Sequence, residues 1–324
     1  MKNLIFATRP SALARWQTQA VIQALQACIS GLNCIEHVIT TRGDRILNQP
    51  LPEIGGKGLF TDELEAALLN GQVDCAVHSL KYLTVISSPD LSIGCIPTRG
   101  EVRDVLVSAR RFSLQTLPAG AVVGTSSLRR AAQLLHARPD LVITSLRGNV
   151  DTRLRKALEG PYDAIVLAGA GLVRLGLDRH ITEWLPLEVM LPAPGQGALA
   201  VQCRKDDPET LAILSNLEDP STRLEVGAER TFLQELGGGC SMPVAAYAVS
   251  RQEAKADEME ISASAAKSAV TLTGLVASPD GRQVIRMRCS GNDAQALAVR
   301  LARQAIREGA GEILNLVNNK DTIQ

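Results

Sequence analysis

The stretch DCAVHSLKYLTV, residues 74–85, ends in polar side chains whose types could do chemistry. Its apolar part reads as a strand, and the hydroxyl of Ser79, the ammonium of Lys81 and the phenol of Tyr82 follow where that strand stops. Polar residues at the carboxyl end of a strand in an α/β sheet often form the edge of an active site. An acidic group is expected beside such a lysine, so the phenol of Tyr82 needs an explanation.

Two turns elsewhere share a second pattern, in which a strand is followed by hydroxyl and basic residues and then by a helix. The turns are ATRPS at residues 7–11 and GTSSLRR at residues 124–130. The N–H groups at a helix start bind anions, and arginine holds a carboxylate through two parallel hydrogen bonds. Ordinary N-capping explains one such turn alone equally well. Two turns in succession, with arginines near other strand ends, favour a polycarboxylate or phosphate site between two domains. The residues in this pattern are Thr8, Arg9, Ser11, Thr125, Ser126, Ser127, Arg129, Arg130, Arg147, Arg153 and Arg174.

The stretch IGGKGLF, residues 54–60, places Lys57 among glycines. It is not a phosphate-binding loop, because glycine rather than serine or threonine follows the lysine and the required glycine spacing is missing. We interpret the stretch as a mobile lid over a cleft, and a simple surface loop is the alternative.

The seven cysteines form neither a disulfide framework nor a zinc site, because their number is odd and no C-x-x-C pair occurs. The four histidines show no i,i+4 pair, which also argues against a metal. Cys240 differs from the other cysteines, since it follows three glycines in LGGGCSMP. An inert loop thiol is one interpretation of it, and an accessible thiol suited to covalent attachment is the other.

Composition indicates a soluble globular protein, and 324 residues predict two or three domains. Lys+Arg and Asp+Glu balance at 34 each, so no overall field attracts a polyanion. Aromatic residues make up 3%, which argues against a base-stacking surface. The apolar run near the start is too short for a signal peptide, and the longest run, AIVLAGAGLV, is about half of a bilayer span. We expect a cytoplasmic protein that binds neither nucleic acid nor membrane.

The elements that must position these residues alternate between strand and helix over the first two thirds of the chain, which predicts βα units on a mostly parallel sheet. The alternation of strand and helix starts again after about residue 100. The later stretch LPAPGQGALAVQCRKD is interpreted as a hinge followed by a strand that rejoins the first sheet. The last third predicts two strands around an Asp-Gly turn and a helix over Ala294–Glu308, an α+β module. The polar stretch at residues 250–267 is predicted to be a mobile excursion.

A series of motifs, in this order along the chain, resembles the porphobilinogen deaminase (hydroxymethylbilane synthase) family. The resemblance covers nearly the whole chain and weakens only around residues 250–270. The motifs are ATRPSALARWQ, TRGD, GGKGLF, AVHSLK, VGTSSLRR, SLRGNVDTRL, LAGAGLVRLG, LPAPGQGALAVQCR and GGGCSMP.

The resemblance implies an α/β fold with two doubly wound, periplasmic-binding-protein-like domains around a cleft and a C-terminal α+β domain. The implied bounds are 1–99 with 198–217, then 100–197, then 218–324. It also implies a dipyrromethane cofactor, thioether-linked to Cys240, and a transferase that joins four porphobilinogen units head to tail. Ammonia leaves at each step, and water then frees the linear tetrapyrrole hydroxymethylbilane. Members of the family usually work as monomers.

The resemblance further assigns roles to individual residues. Lys81 and the position of Tyr82 would be catalytic, Lys57 would belong to the lid, and no metal is implied. The cofactor would be held by Ser79, Lys81, Thr125, Ser127, Arg129, Arg130 and Gly171. The incoming substrate and the growing chain would be held by Arg9, Ser11, Arg147, Arg153 and Gln196.

The chain departs from the family pattern directly after Lys81, where Tyr82, Leu83 and Thr84 stand in place of Asp-Leu-Pro. In the family that aspartate is the main catalytic group and stabilises a cationic intermediate. A tyrosine, with a reference pKa of about 10, is neutral at pH 7. Losing such stabilisation commonly costs about 3–4 kcal/mol, and a cation–π contact would recover only about 0.5–2 kcal/mol of it.

Three hypotheses follow from this departure. The first is an active deaminase that uses Tyr82, or instead a carboxylate such as Asp44 that moves into place. The second is a family member that binds pyrroles or a tetrapyrrole without completing synthesis. The third hypothesis, a two-lobed solute-binding protein, is disfavoured by the third domain and by GGGCSMP.

Overall fold

The computed structural model describes residues 3–45, 58–84, 88–239, 242–251 and 269–320, which form three β-sheets and the helices that cover them. The strands are β1 (Leu4–Thr8), β2 (Cys34–Val38), β3 (Cys75–Ser79), β4 (Leu91–Cys95), β5 (Asp104–Val107), β6 (Val122–Gly124), β7 (Val142–Thr144), β8 (Ala164–Ala168), β9 (Glu183–Trp184), β10 (Leu199–Arg204), β11 (Val244–Arg251), β12 (Ala269–Ala277) and β13 (Val284–Gly291). The α-helices are α1 (Ala12–Cys28), α2 (Arg42–Arg45), α3 (Asp62–Leu69), α4 (Leu128–Ala137), α5 (Val150–Glu159), α6 (Gly169–Arg174), α7 (Pro208–Leu214), α8 (Pro220–Glu235), α9 (Ala294–Arg307) and α10 (Ala310–Lys320).

The first two sheets have the same architecture. Their strand orders are β2-β1-β3-β10-β4 and β7-β6-β8-β5-β9. In each sheet the first three strands are parallel and the fourth is antiparallel to both of its neighbours. That fourth strand is the one by which the chain enters from the other sheet, so β10 rejoins the first sheet as its sequence indicates. We call the two sheets with their helices the first and second lobes.

The third sheet has the order β11-β12-β13 and is antiparallel throughout. One face packs on α8, α9 and α10 around a core that includes Phe232, Leu272 and Leu301. The other face packs on α4 of the second lobe through Ala132, Leu275 and neighbouring residues. Two α/β lobes followed by an α+β unit confirm the predicted fold class.

Local signals account for most helix ends. Ser11, Ser127 and Asn149 occupy the N-cap positions of α1, α4 and α5, and each side-chain oxygen accepts a backbone N–H in the first turn. Such capping satisfies N–H groups that have no partner within the helix. Helix α3 ends at Leu69, and Gly71 follows in the left-handed region at φ +74°, which glycine adopts without steric cost.

The second strand begins earlier than expected. The sequence EHVITTR predicts a strand over residues 36–42, whereas β2 covers Cys34–Val38. The backbone N–H and the hydroxyl of Thr41 both donate to Oδ2 of Asp44, at 3.1 and 2.8 Å. These local hydrogen bonds compete with strand pairing, and the chain turns into the short helix α2 instead.

Two predictions concern residues outside the ranges that the structure describes. Lys57, with most of its glycine-rich stretch, lies outside the described residues, and so does the polar excursion beyond residue 251. Within the described ranges, no helix is long and apolar enough to span a bilayer.

Candidate active site

Lys81 and Tyr82 lie on a single 3₁₀ turn, Leu80–Tyr82, that directly follows β3. The backbone N–H of buried Leu80 donates to the carbonyl of Ala198 at 3.0 Å, which anchors the turn to the segment entering β10. Lys81 Nζ donates to Oε1 of Gln196 at 3.3 Å and lies 5.1 Å from the centroid of the Tyr82 ring. Tyr82 is 50% exposed. The lysine is therefore held at the crossing between the lobes, with the phenol beside it.

Asp104, the first residue of β5, lies at the centre of a buried charge cluster. Its Oδ2 accepts a hydrogen bond from Nη1 of Arg129 at 2.7 Å. Its Oδ1 accepts from Nε and Nη2 of Arg130, at 3.1 and 2.8 Å, and from Nε2 of Gln196 at 3.0 Å. Because Gln196 also accepts from Lys81, one glutamine links the lysine of the first lobe to the carboxylate of the second.

The electrostatics of this cluster favour anions. Burial alone would raise the pKa of Asp104, but the charges of Arg129 and Arg130 outweigh it and hold that pKa well below its ordinary value. Burial lowers the pKa of Lys81, an effect that Tyr82 opposes and Arg130 reinforces. Three cationic side chains thus lie around one carboxylate, so the cluster is net positive and suits ligands that carry carboxylates.

Two more of the predicted arginines lie in the same region. The Nε of Arg153 donates to the carbonyl of Gly148 at 2.7 Å. Burial lowers the pKa of Arg153, the Tyr82 phenol opposes this shift, and the positive charges of Arg130 and Arg147 reinforce it. These couplings bring Arg147 and Arg153 into the electrostatic surroundings of Tyr82 and the charge cluster.

The hydroxyl residues of the two helix-start turns make ordinary capping contacts. Ser11 Oγ accepts from Ala14 N and Ser127 Oγ accepts from Arg130 N, both at 3.4 Å. Thr125 Oγ1 accepts from the N–H of Ser127 at 3.2 Å. None of these contacts draws the three hydroxyls into the charge cluster, so their role in anion binding stays a prediction.

Arg9 has its own carboxylate partner. Its Nε donates to Oδ2 of Asp44 at 3.2 Å, its Nη2 donates to Oδ1, and its guanidinium lies 4.1 Å from the ring centroid of Phe60. Burial tends to raise the pKa of Asp44, but the hydrogen bond and charge of Arg9, together with Thr41, lower it. Asp44, the carboxylate considered above as a substitute for the missing aspartate, is therefore ionised and already bonded to Arg9 and Thr41.

Ser79 and Gly171 also lie outside the charge cluster. The hydroxyl of Ser79 exchanges hydrogen bonds with the side-chain amide of Gln17 in α1, at 2.9 and 3.1 Å. A Cβ on Gly171 would lie 3.4 Å from Val150 and 3.6 Å from Leu13. Gly171 thus occupies the packing contact among α6, α5 and α1.

A buried ion pair joins the third sheet to the crossing between the lobes. Arg99 Nη1 and Nη2 donate to the two oxygens of Glu229, at 2.7 and 3.0 Å, and Arg99 Nε donates to the carbonyl of Gln196 at 2.8 Å. Glu229 also accepts from the backbone N–H groups of Gly195 and Ala248, at 2.7 and 2.9 Å. This carboxylate therefore fixes the segment that carries Gln196.

Sequence reasoning did not single out Asp104, Gln17 or Glu229. The signal for Asp104 was present, because an acidic residue opens the apolar run DVLV. Its importance depends on β5 being antiparallel. Asp104 pairs with Ala168, the last residue of β8, so the beginning of β5 lies at the sheet edge where the parallel strands end. Gln17 and Glu229 sit inside helices, where no local pattern marks their partners.

Cys240 lies outside the described residues, which resume at Met242. In the stretch that precedes it, a Cβ on Gly237 or Gly239 would meet no described atom within 4 Å, whereas a Cβ on Gly238 would overlap the carbonyl oxygen of Leu233. Over the part of the chain that the structure describes, no group of three or more His, Cys, Asp or Glu residues is placed to hold a metal ion.

Two family models together match nearly the full chain. The family model for the porphobilinogen deaminase dipyromethane cofactor binding domain matches residues 4–212, and the model for the porphobilinogen deaminase C-terminal domain matches residues 223–307. Among solved structures, the BvgS VFT2 domain of Bordetella pertussis is 20% identical and covers 66% of this chain and 86% of its own, with a TM-score of 0.40.

Curated relatives are much more similar. The porphobilinogen deaminase of Brevibacillus brevis is 47% identical over 307 residues, 95% of either chain. That of Bacillus subtilis is 44% identical over 321 residues, 99% of this chain and 98% of its own. That of Roseiflexus castenholzii is 47% identical over 316 residues, 97% of this chain and 99% of its own. The chain therefore belongs to the porphobilinogen deaminase family.

Proposed function

We propose that this chain is a transferase that joins four porphobilinogen units head to tail, with release of ammonia, into the linear tetrapyrrole hydroxymethylbilane. The observation that carries the proposal is the cluster in which Lys81, Arg129 and Arg130 lie around the single carboxylate of Asp104. Each pyrrole of the substrate carries an acetate and a propionate. A growing chain of such units is a polycarboxylate and needs fixed cations, which this cluster supplies.

A dipyrromethane group linked to Cys240 would be the primer, offering a pyrrole carbon to which the first unit is joined. The cluster fits such a group because Arg129 is only 4% exposed, yet it donates through Nη1 alone. Among the residues that the structure describes, no acceptor is bonded to its Nε or Nη2, so this edge is available to a carboxylate of the group. The residues proposed to hold the cofactor are Ser79, Lys81, Thr125, Ser127, Arg129, Arg130 and Gly171.

The incoming unit and the growing chain would be held by a second group of residues. The residues proposed for this role are Arg9, Ser11, Arg147, Arg153 and Gln196. Gln196 is the assignment that lies nearest the cluster, because its side chain contacts both Lys81 and Asp104. Lys57 is proposed to belong to a lid over the same cleft.

Tyr82 sets the expected rate. A neutral phenol does not stabilise a cationic intermediate as a carboxylate does, and such stabilisation is commonly worth about two to three decades in rate. The ring lies beside Lys81 and offers its face to a cation, which recovers only about 0.5–2 kcal/mol. We therefore expect turnover that is slow for the family.

The test compares the natural sequence with Tyr82→Asp, and Tyr82→Asn is the matched control because asparagine has the size of aspartate without its charge. Porphobilinogen consumption and the intact mass of each protein are measured. We expect the dipyrromethane mass increment in all three and a gain in rate of about a hundredfold for Tyr82→Asp alone. Absence of the increment from every variant would contradict the cofactor assignment, and no turnover in any variant would contradict the proposed reaction.

A second candidate function rests on Tyr82 alone: a family member that binds pyrroles without completing synthesis. It predicts that the natural sequence carries the mass increment but consumes no further porphobilinogen, and that Tyr82→Asp restores turnover. Consumption by the natural sequence over many turnovers excludes it.

We also propose the domain bounds 1–99 with 198–217, 100–197 and 218–324, and a cytoplasmic monomer that acts on a small molecule rather than on nucleic acid or membrane. The strand pairing supports the first bound, since β10 lies between β3 and β4. The balanced net charge supports a small-molecule substrate, because anion binding is then a local property of the cluster. Limited proteolysis and sedimentation equilibrium test the bounds and the monomer.

A further inference from the structure

Asp104 is fully buried and accepts four hydrogen bonds from three side chains. Oδ1 accepts three of these bonds, from Arg130 and Gln196, and Oδ2 accepts the fourth, from Arg129. The group is therefore held in one position, and its complete burial keeps a ligand away from its oxygens. Because its pKa lies well below the ordinary value, it also does not serve as a proton donor near neutral pH.

The two arginines that share Asp104 differ in which of their guanidinium N–H groups have an acceptor. Arg130 donates through Nε and Nη2 to Asp104 and through Nη1 to the carbonyl of Val166 at 3.1 Å. Arg129 donates through Nη1 alone, to Asp104 and to the carbonyl of Leu191, each at 2.7 Å. Within the described part of the chain, the Nε and Nη2 edge of Arg129 has no acceptor. That edge has the shape that binds a carboxylate through two parallel hydrogen bonds.

We infer that Asp104 is a positioning residue, which holds Arg129 with its Nε and Nη2 edge open to a carboxylate of the pyrrole chain and fixes Arg130 and Gln196 behind it. This inference rests on the proposed function, since it specifies how the cluster presents its cations. Asp104 itself touches no ligand in this arrangement.

The physical need for Asp104 is repulsion between its neighbours. Two buried guanidinium groups on consecutive residues repel each other strongly in a medium of low dielectric constant. A shared carboxylate offsets that repulsion and gives each group a fixed hydrogen-bond direction. Without it, Arg129 and Arg130 would separate, and the open edge would lose its direction. A competing role is also conceivable: Asp104 could occupy cations that a ligand would otherwise use, and the two roles predict opposite effects on binding.

The first experiment compares Asp104→Asn with Asp74→Asn in the full-length protein. Asp74 is a matched control, because it pairs with Arg204 at 3.1 Å and precedes β3 at the end of the strand away from the cluster. Equilibrium binding of porphobilinogen, cofactor loading by intact mass and turnover per loaded enzyme are measured. We expect Asp104→Asn to weaken binding and to lower turnover per loaded enzyme, each by about tenfold or more. We expect Asp74→Asn to leave both within about twofold.

The second experiment separates the charge of Asp104 from its geometry by means of the pH profile. Lys81 faces the Tyr82 phenol on its own turn, Asp104 from β5, and Arg129 and Arg130 from α4. Removing the Asp104 charge takes away an attraction that raises the pKa of Lys81. The basic limb of turnover should therefore move to lower pH in Asp104→Asn and return in Asp104→Glu. Turnover per loaded Asp104→Glu enzyme should stay low, because one more methylene in a filled site displaces its neighbours.

Each outcome decides the inference. If Asp104→Asn binds porphobilinogen as tightly as the unchanged protein or more tightly, the inference is overturned in favour of competition. If the basic limb of the pH profile does not move and turnover per loaded enzyme falls no more than in Asp74→Asn, the inference is overturned in favour of a merely structural role. Binding requires no turnover, so it tests Asp104 even in an inactive chain. A natural sequence that binds porphobilinogen but never consumes it would refute the proposed function alone, whereas a natural sequence that binds none would refute both.

Discussion

The first and second lobes share one strand order, and in each the antiparallel fourth strand starts at the edge where the parallel strands end. In the first lobe β10 starts with Leu199 opposite Ser79, and in the second lobe β5 starts with Asp104 opposite Ala168. Corresponding positions thus hold a leucine in one lobe and a buried carboxylate in the other. The same backbone arrangement therefore supports a packing contact in one lobe and an ionic centre in the other.

The cations of the two lobes differ in the same way. Arg9 and Asp44 form a one-to-one pair that stays partly exposed. Arg129 and Arg130 of the second lobe share Asp104, which is fully buried, and Lys81 of the first lobe lies nearby. A one-to-one pair is neutral, whereas several cations around one carboxylate leave a positive excess that is weakly screened when buried. Cations bind anionic ligands where they outnumber their local partners, and here that condition is met at the second lobe.

The largest expected effect comes from breaking one ion pair in each lobe. Arg130→Met removes a partner from buried Asp104, and breaking a buried pair in this way costs about 3–5 kcal/mol. Arg9→Met removes the partner of Asp44, which is closer to a surface pair and should cost about 1 kcal/mol or less. Urea denaturation of both variants at neutral pH measures the free energies of unfolding. Equal losses in the two variants would contradict the difference between the lobes.

The next effect is a pH dependence that belongs to the first lobe. His78 is buried, its Nε2 contacts Oε1 of Gln202 at 3.1 Å, and burial lowers its pKa to about 4. In the unfolded chain the pKa is about 6.5, so between these values the unfolded state binds the additional proton. Stability is therefore fully present above about pH 6.5 and falls as the pH is lowered toward 4, by about 3 kcal/mol.

His78→Leu tests this dependence of the free energy of unfolding on pH. Leucine is chosen because Leu167 occupies the fourth position of β8, which corresponds to His78 in β3. We expect that variant to lose the His78 part of the slope, together with a pH-independent cost of about 1–3 kcal/mol because Gln202 loses a partner. His180→Gln, in the second lobe, is the control. The free energy of unfolding is measured at several pH values. If its slope against pH is unchanged in His78→Leu, a group other than His78 is titrating.

The smallest expected effect should be equal in the two lobes. Ser11 and Ser127 cap α1 and α4 with the same hydrogen-bond length, 3.4 Å. Replacing either serine by alanine should lower the free energy of unfolding by about 1 kcal/mol. Thermal denaturation of Ser11→Ala and Ser127→Ala measures it. A much larger loss of turnover than of stability in either variant would indicate that its hydroxyl also binds a ligand.

Much of the fold was predictable because its signals are local. The caps Ser11, Ser127 and Asn149 lie directly before the helices they begin, and α5 ends at Gly160 as expected. The second strand was placed too late, because the hydrogen bonds between Thr41 and Asp44 are not visible in hydrophobic periodicity. For the site, the sequence predicts cations from basic residues at strand ends, and the partners of those cations are visible only in the structure.

The amino-acid sequence by itself determined the starts of α1, α4 and α5, the family to which the chain belongs and the presence of Tyr82 after Lys81. Those properties follow from periodicity, capping and motif order, which act over short stretches of chain. Only the tertiary structure decided that Arg129 and Arg130 share Asp104 and that Gln196 joins it to Lys81. These partners are brought together by an antiparallel strand and an interlobe crossing, and the charge balance of a buried site depends on such distant contacts.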